Sequence, residues 1–292
     1  MDFAPYSHNE TVAFPIFVSQ QTGKVADVLN NILFLFLLFY KVRKGNEEVK
    51  DFHEPIFRQL FYIAGGIVIF RNLLWVMVAI NSHLVFLLIF NPLILLLLLV
   101  DNLLITITLV FTFLAALQRI VIMYRPKWKN LLTGKPLTWL ITALWLLTFL
   151  QFIMKIVFIL QDPQNRGVNT VTISLRTLFF LSTVASNLIY YHFYKLMSNF
   201  TDQHQYHRMH LLYQFVPIHT ILTIFTFTQL TMEFLLLMNP EDELCFNIYG
   251  SAGAFLIPFI PTVISLSYIA SRDNLRALIT AVMRPVWEDI TG

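Results

Sequence analysis

The stretch LAALQRIVIMYRPKWKN, residues 114–130, closes a long apolar run that begins near Leu93. A basic patch of Arg125, Lys127 and Lys129 ends the run, whereas Arg119 lies inside its last helical turns. A basic patch after a long apolar segment is typical of the cytoplasmic end of a transmembrane helix. The stretch therefore predicts a membrane span that ends near residue 123 and contains one arginine that a stop signal does not require.

The composition of the whole chain is that of a membrane protein. The 292 residues are 57% hydrophobic and 13% charged, and the mean hydropathy is +0.67, whereas soluble domains have about 25% charged residues. The net charge of +3 is too small to suggest nucleic-acid binding. Cys245 is the single cysteine, so no intramolecular disulfide can form.

Seven apolar blocks are long enough to be membrane spans. A helix needs about 20 residues to cross about 30 Å of hydrocarbon. The blocks cover residues 25–40, 57–80, 93–123, 137–160, 170–197, 211–238 and 248–270. A tight turn between the second and third blocks is inferred from Asn81, Ser82, Asn91 and Pro92. The expected fold is an all-α membrane protein, a seven-transmembrane helix bundle.

The distribution of basic residues predicts the orientation. With the N-terminus outside, 14 Lys and Arg residues lie in cytoplasmic segments and only Lys24 and Arg166 lie outside. Because short cytoplasmic loops retain Lys and Arg, this bias favours an outer N-terminus and an inner C-terminus. It divides the chain into an extracellular tail (1–24), the bundle (25–270) and a cytoplasmic tail (271–292).

Two further features fit this division. The sequon Asn9-Glu10-Thr11 is a glycosylation acceptor in the outer tail, whereas the second sequon, at Asn199, would face the cytoplasm and stay unmodified. The cytoplasmic tail is predicted to form a short amphipathic helix along the inner interface, because its apolar residues recur at helical spacing. These residues are Leu275, Leu278, Ile279, Val282, Met283 and Val286.

Five charged residues inside the outer half of the predicted bundle are candidates for ligand binding. A charge within a span is costly unless it is paired or hydrated, and so it suggests function. The five are Arg71, Asp101, Lys155, Arg176 and Glu233. They predict a polar cavity that opens outward, in which three cations offset two carboxylates. If some of the 28 phenylalanines line this cavity, it would suit a small apolar or amphipathic ligand. Alternatively, Lys155, Arg176 and Glu233 simply reach the interface by snorkelling. The pairing among the five is left open.

The chain shows no catalytic motif. HExxH, CxxC, GxSxG and Gly-rich phosphate loops are missing from the sequence, so neither an enzyme nor a cofactor is expected. His204, His207 and His210 could share a helical face and bind a metal, but an inner loop of solvated histidines is the simpler interpretation, and no metal is predicted. No lysine follows Lys195, which excludes a retinal Schiff base in the seventh span.

Two functional classes are therefore considered. A signalling receptor would bind a ligand outside and shift a helix-bundle equilibrium that is detected inside. A small transporter or channel is the alternative, although the first and last three spans show no repeat of the kind common in transporters. A third possibility is a nonsignalling seven-span protein that helps other membrane proteins to assemble.

Three segments resemble seven-helix G-protein-coupled receptors, and more particularly the nematode serpentine chemoreceptors. They are LQRIVIMYRPKW (117–128), YQFVPIHTIL (213–222) and FLIPFIPTVISLSYIASRDNLR (255–276). Arg119 takes the position of the family's span-three arginine, and PTVISLSY (261–268) resembles the span-seven motif of a proline and a tyrosine, here Pro261 and Tyr268. Gln118 replaces the acidic residue that usually precedes the arginine, so the restraining ion pair within that motif is lost.

The resemblance implies a chemosensory receptor that couples to a heterotrimeric G protein. It implies a plasma-membrane location, with the sensory cilium as a narrower expectation. The coupling surface would include Arg119, Arg125, Lys127, Lys129 and the 198–210 loop, although topology alone also explains the basic residues other than Arg119.

Prolines in the sixth and seventh predicted spans suggest movable helices independently of the resemblance. A proline inside a helix removes a backbone hydrogen bond and kinks it. Pro217 and Pro261 are therefore switch candidates, because a kinked helix can have two closely matched arrangements. The alternative is that each proline sets a fixed kink that only shapes packing.

Overall fold

A computed structural model describes residues 7–44, 54–80, 87–161, 166–198, 204–238 and 256–270. Within these ranges the chain forms α-helices joined in one place by a 3-10 helix, and it forms no strand. The helices are α1 (Ser7–Lys44), α2 (Glu54–Ile80), α3 (Leu87–Tyr124), the 3-10 helix (Pro126–Leu132), α4 (Gly134–Gln161), α5 (Arg166–Ser198), α6 (His204–Met238) and α7 (Phe259–Ala270).

Six of the described helices are long and apolar enough to cross a membrane. Their candidate spans are Gln21–Phe39, Pro55–Met77, Asn102–Tyr124, Gly134–Met154, Val171–Leu196 and Phe215–Leu235, and Phe259–Tyr268 is a shorter apolar helix. The chain is thus a helical, multi-pass membrane protein. Of the seventh predicted span, 248–270, only the part from residue 256 is described, so seven spans remain a prediction.

Helix α3 contacts more of the described helices than any other helix does. Helix α3 contacts α2, α4, α5 and α6, whereas α7 contacts α1, α2 and α6, and α1 also contacts α2. Phe57 near the start of α2 meets Phe215, the first residue of the candidate span on α6, and Tyr268 near the end of α7. We call this end of the bundle, which also carries the 3-10 helix with its basic residues, the basic end, and the other the opposite end.

Close packing between helices stabilises the bundle, because removing apolar side chains from lipid gives no hydrophobic gain. Apolar side chains are exposed on the outer surface, for example Trp139 and Leu147 of α4, as expected where lipid is the solvent. Inside, Gly65 of α2 has the Phe34 ring so close that an added Cβ would lie 2.4 Å from its Cζ. Small residues of this kind let neighbouring helices approach, which is how membrane helices gain packing energy.

Three helices, α1, α3 and α6, begin well before the predicted blocks. Helix α1 begins at Ser7, so residues 7–24 of the predicted outer tail are helical. The turn inferred at Asn91 and Pro92 is wrong, because both lie inside α3, whose apolar residues start at Leu87. The prediction of a loop over residues 198–210 is also wrong in part. Helix α6 begins at His204, and no proline or glycine interrupts residues 204–210. The remaining turn residues, Asn81 and Ser82, lie outside the described residues.

The two switch prolines differ in their positions. Pro217 lies inside α6, as predicted. Pro261 lies in the first turn of α7, directly after a break in the helix. At this break Leu256 is helical, Ile257 and Pro258 form a turn, and Ile260 donates its N–H to the carbonyl of Ile257. Ile257 lies four residues before Pro261, where a proline removes the helical hydrogen bond and its ring crowds the carbonyl.

Candidate functional site

Arg119 is buried near the basic end between two aromatic rings. Its residue exposure is only 8%. The guanidinium carbon lies 5.4 Å from the ring centroid of Tyr190 in α5 and 5.9 Å from that of Phe215 in α6. Both distances are within the range of cation–π attraction, which stabilises a desolvated cation by about 2 kcal/mol. The arginine thus ties α3 to α5 and α6 through ring faces.

Tyr190, Phe215 and His219 form a compact set of rings beside Arg119. The ring centroids of Tyr190 and His219 are 4.9 Å apart, and Tyr190 stacks on Phe215 at 6.0 Å with an interplanar angle of 7°. Among the described residues, neither the Tyr190 hydroxyl nor the two ring nitrogens of His219 has a hydrogen-bond partner. We call these four residues the arginine cluster. It places a buried cation beside three buried polar atoms that have no hydrogen-bond partner in the described part of the chain.

An aromatic line runs from the arginine cluster to α7 and α1. Phe215 meets Phe57 edge-on at 6.0 Å, and Phe57 stacks on Tyr268 at 5.3 Å. Tyr268 then contacts Phe61 at 6.2 Å, and Phe61 stacks on Phe34 at 5.2 Å. Tyr268, predicted as a switch residue, is therefore connected to Arg119 through Phe57 and Phe215. Pro217 lies between Phe215 and His219 on α6, so bending of α6 there would move both rings.

Gln118 fastens the 3-10 helix to the end of α3. Its side-chain Nε2 donates a hydrogen bond of 2.6 Å to the backbone carbonyl of Leu132, and the residue is fully buried. The amide thus satisfies a carbonyl at the end of the 3-10 helix, a bond that an ionised carboxylate at this position could not donate. Arg125 and Lys127, both exposed, are presented on this fastened segment.

Besides the contact of Arg119 with Tyr190, a hydrogen bond links α3 to α5 at the surface of the basic end. The Tyr124 hydroxyl and Nε2 of His192 are 2.6 Å apart, and the two rings stack with centroids 6.3 Å apart. The ends of α3 and α5 are therefore joined twice, once at the surface and once through Arg119 and Tyr190.

At the opposite end, Arg71 pairs with Asp27 of α1. Its Nε and Nη2 donate to the two carboxylate oxygens at 2.6 and 2.9 Å, and Nε1 of Trp75 donates to the same carboxylate at 2.8 Å. Nζ of Lys24 lies 5.4 Å from the Trp75 ring centroid. Asp27, which was not among the five charges predicted from the sequence, is thus the partner of Arg71.

Arg176 and Glu233 form a separate pair between α5 and α6. Nε of Arg176 lies 3.0 Å from Oε1 of Glu233, and the side chains are 14% and 13% exposed. The second carboxylate oxygen has no hydrogen-bond partner among the described residues. Asp101 lies in α3 and Lys155 in α4, but their side chains are outside the described part of the chain. The charges with described side chains thus form two pairs on different helices.

Polar side chains also join helices inside the spans. Asn30 of α1 donates to the Pro258 carbonyl at 2.6 Å and accepts a bond from the Thr262 hydroxyl. Between α5 and α6, Asn187 donates to the Thr223 hydroxyl at 2.7 Å, and the hydroxyls of Thr183 and Thr226 are 3.2 Å apart. The break before α7 is therefore held by α1, which supplies its hydrogen bonds where lipid cannot.

Several site residues were not identified from the sequence. Tyr190, Phe215 and His219 were missed because aromatic residues are frequent throughout the spans. Only their packing against one another beside Arg119 distinguishes them. A possible signal was the position of His219 two residues after Pro217, in an otherwise apolar segment.

Other predicted features cannot be placed fully. Asn9 lies in the first turn of α1, and His204, His207 and His210 lie in the first turns of α6, but their side chains are outside the described part. Asn199, Cys245 and the predicted interfacial helix in residues 271–292 also lie outside it.

Comparison of the chain with models of known protein families gives no match. Searches of curated proteins and of solved structures give no significant match either.

Proposed function

We propose that the protein is a chemosensory G-protein-coupled receptor of the plasma membrane. A small molecule binds in the half of the bundle nearer the opposite end, and a heterotrimeric G protein is activated at the basic end. The N-terminus is outside and the C-terminus inside, in agreement with the positive charge of the basic end. Arg119 and the arginine cluster transmit the signal.

The observation that carries this proposal is the burial of Arg119 between α5 and α6. An intramembrane charge is expensive to keep, and the orientation of the chain does not need it. Its contacts join α3 to two other helices, one of which, α6, contains Pro217. A rearrangement of α6 would change the surroundings of Arg119 and of the aromatic line to Tyr268, as a two-state switch requires.

The ligand would act on the polar groups near the opposite end. Arg176 and Glu233 join α5 to α6 on the same two helices that hold Arg119. A ligand that competes for either member of this pair would therefore bias the packing of α5 against α6. Asp101, Lys155 and Arg71 are the further candidates for ligand contact, with Arg71 already engaged by Asp27.

The test is nucleotide exchange on purified heterotrimeric G proteins by the protein in lipid bilayers, with a panel of volatile and water-soluble compounds. A compound that accelerates exchange on the wild type should fail to do so on Arg119→Ala, while surface expression stays intact. Arg58→Ala is the matched control, because Arg58 is an exposed arginine of α2 outside the arginine cluster and the proposed coupling surface, and it should retain most of the response. Ligand-evoked exchange by Arg119→Ala at the wild-type rate would contradict the proposal.

The break at Ile257 and Pro258 favours a small transporter as the second candidate. Transporters commonly bind substrates beside unwound backbone near the membrane midplane. Asn30, which bonds to Pro258, is central in the Gln21–Phe39 span. A transporter would move a labelled substrate across vesicles without any G protein, and Asn30→Leu would stop this flux. Substrate flux without nucleotide exchange would therefore contradict the receptor proposal and support the transporter.

A further inference from the structure

A pair of asparagines lies on the outer surface of α1 and α2 within the membrane. Nδ2 of Asn31 donates to Oδ1 of Asn72 at 3.0 Å, and Nδ2 of Asn72 donates back to Oδ1 of Asn31 at 2.7 Å. Nδ2 of Asn72 also donates to the Val68 carbonyl at 2.8 Å. Asn72 is exposed and Asn31 is partly exposed, so this carboxamide pair faces out of the bundle.

The depth of the pair places it in hydrocarbon. Asn31 follows Gln21, the start of its candidate span, by ten residues, and Asn72 precedes Met77, the end of its span, by five. At about 1.5 Å of rise per residue, the pair lies about 7 to 15 Å inside the span boundary. There lipid offers neither donors nor acceptors, so an exposed amide is unfavourable unless another protein group covers it.

The surface around the pair is apolar. One turn away on α1, Val28 and Leu35 are 59% and 53% exposed, and one turn away on α2, Ile69 and Val76 are 57% and 52% exposed. Polar side chains set in such a surface promote helix association in membranes, because their hydrogen bonds cannot be made with lipid. The α1/α2 face thus has an apolar rim and a polar centre.

The hydrogen-bonding capacity of the pair is self-complementary. A carboxamide has two N–H donors and an oxygen that can accept two bonds. Both N–H groups of Asn72 are used, whereas among the described residues Asn31 uses one N–H, and each Oδ1 accepts a single bond. The same pair on a second copy has the matching spare donor and acceptors. A two-fold arrangement therefore satisfies both pairs with symmetric bonds.

We propose that the α1/α2 face is the interface of a homodimer, in which the Asn31–Asn72 pairs of two copies bond to each other across a two-fold axis. This interface does not involve the arginine cluster or the Arg176–Glu233 pair. It therefore does not depend on whether the protein is a receptor.

The dimer is tested in lipid bilayers by single-molecule photobleaching over a range of protein densities. Asn31→Leu and Asn72→Leu should weaken dimerisation roughly three-fold for each bond lost, and so on the order of ten-fold for a symmetric pair. Thr142→Leu is the control, because Thr142 is exposed on α4 but bonds within its own helix, to the Thr138 carbonyl. It should leave the dimer fraction unchanged.

Cysteine cross-linking locates the interface independently. In a Cys245→Ser background, Val28→Cys or Leu35→Cys should form disulfide-linked dimers in oxidised membranes, and Leu147→Cys on α4 should not. If the asparagines only tie α1 to α2, both leucine variants lose thermal stability at every density while the dimer fraction stays the same. That result, a monomeric wild type at all densities, or equal cross-linking through Leu147→Cys, would overturn the proposal.

Discussion

At the scale of single residues, Arg119 shows how a charge is kept inside the bundle. Burial of a guanidinium in a span costs several kcal/mol. The Tyr190 and Phe215 rings recover part of this free energy through their faces. Because these rings belong to α5 and α6, the position of the charge depends on how the three helices pack.

The contribution of the Tyr190 ring can be measured by substitution. Tyr190→Leu should lower the free energy of unfolding by about 1–2 kcal/mol, because the leucine offers no ring face to Arg119. Tyr190→Phe is the matched control and should be nearly neutral, since the hydroxyl has no hydrogen-bond partner among the described residues. Denaturant titration in detergent checks both variants. A loss of stability in Tyr190→Phe equal to that in Tyr190→Leu would assign the effect to the hydroxyl instead.

The Asp27–Arg71 pair predicts a non-additive response to mutation. Asp27→Leu should destabilise the protein by about 3–5 kcal/mol, because it leaves the Arg71 guanidinium, 11% exposed, without its carboxylate. The double variant Asp27→Leu/Arg71→Met should recover much of this loss, since it removes both charges. The free energy of unfolding, measured by denaturant titration for the single and double variants, checks this. Additive losses would mean that the pair does not couple α1 to α2.

At the scale of helices, continuous apolar sequence was more informative than turn residues. Pro92 lies in the second turn of α3 and does not separate two helices. Pro258, by contrast, lies at a break in the helix, where the side chain of Asn30 in α1 donates a hydrogen bond to the Pro258 carbonyl. A proline alone therefore did not predict a helix end, since the outcome depends on which neighbouring groups can satisfy the backbone.

The contact of α1 with α2 depends on Gly65. In Gly65→Ala the added Cβ would lie 2.4 Å from the Phe34 ring, which is stacked on Phe61 and cannot move away easily. The overpacking should cost about 1–3 kcal/mol, more than the gain of about 1 kcal/mol in helix propensity. Thermal unfolding in detergent should show a lower midpoint.

Gly66→Ala is the matched control for this prediction. Its added Cβ would lie 3.3 Å from Cδ1 of Leu104, a flexible side-chain end that can shift. This variant should be neutral or slightly stabilising, and Gly65→Ala/Phe34→Leu should recover stability because the ring is removed. Equal losses in both single glycine variants would contradict a specific role of Gly65.

At the scale of the whole molecule, the orientation in the membrane is predicted from the distribution of Lys and Arg residues. Asn9 should carry a glycan and Asn199 should not, because only an outer N-terminus exposes the first sequon to glycosylation. An endoglycosidase-sensitive shift in electrophoretic mobility should disappear in Asn9→Gln and persist in Asn199→Gln. A shift that depends on Asn199 would reverse the orientation and move the basic end outside.

The amino-acid sequence by itself determined that this is a helical membrane protein and where its spans approximately lie. Long apolar blocks need no tertiary information to be identified, since helix length and hydrocarbon thickness set their size. The sequence also singled out Arg119, because a charge in such a block is expensive wherever its partners lie.

Only the tertiary structure decided what each polar group contacts. Arg71 pairs with Asp27 and Arg176 with Glu233 because each pair faces across the contact between two consecutive helices, α1 with α2 and α5 with α6. Gln118 bonds to the 3-10 helix, and the arginine cluster draws its rings from α5 and α6. Periodicity and charge report on one helix at a time, whereas pairing depends on the rotation and register of several helices, which the packing of their side chains sets.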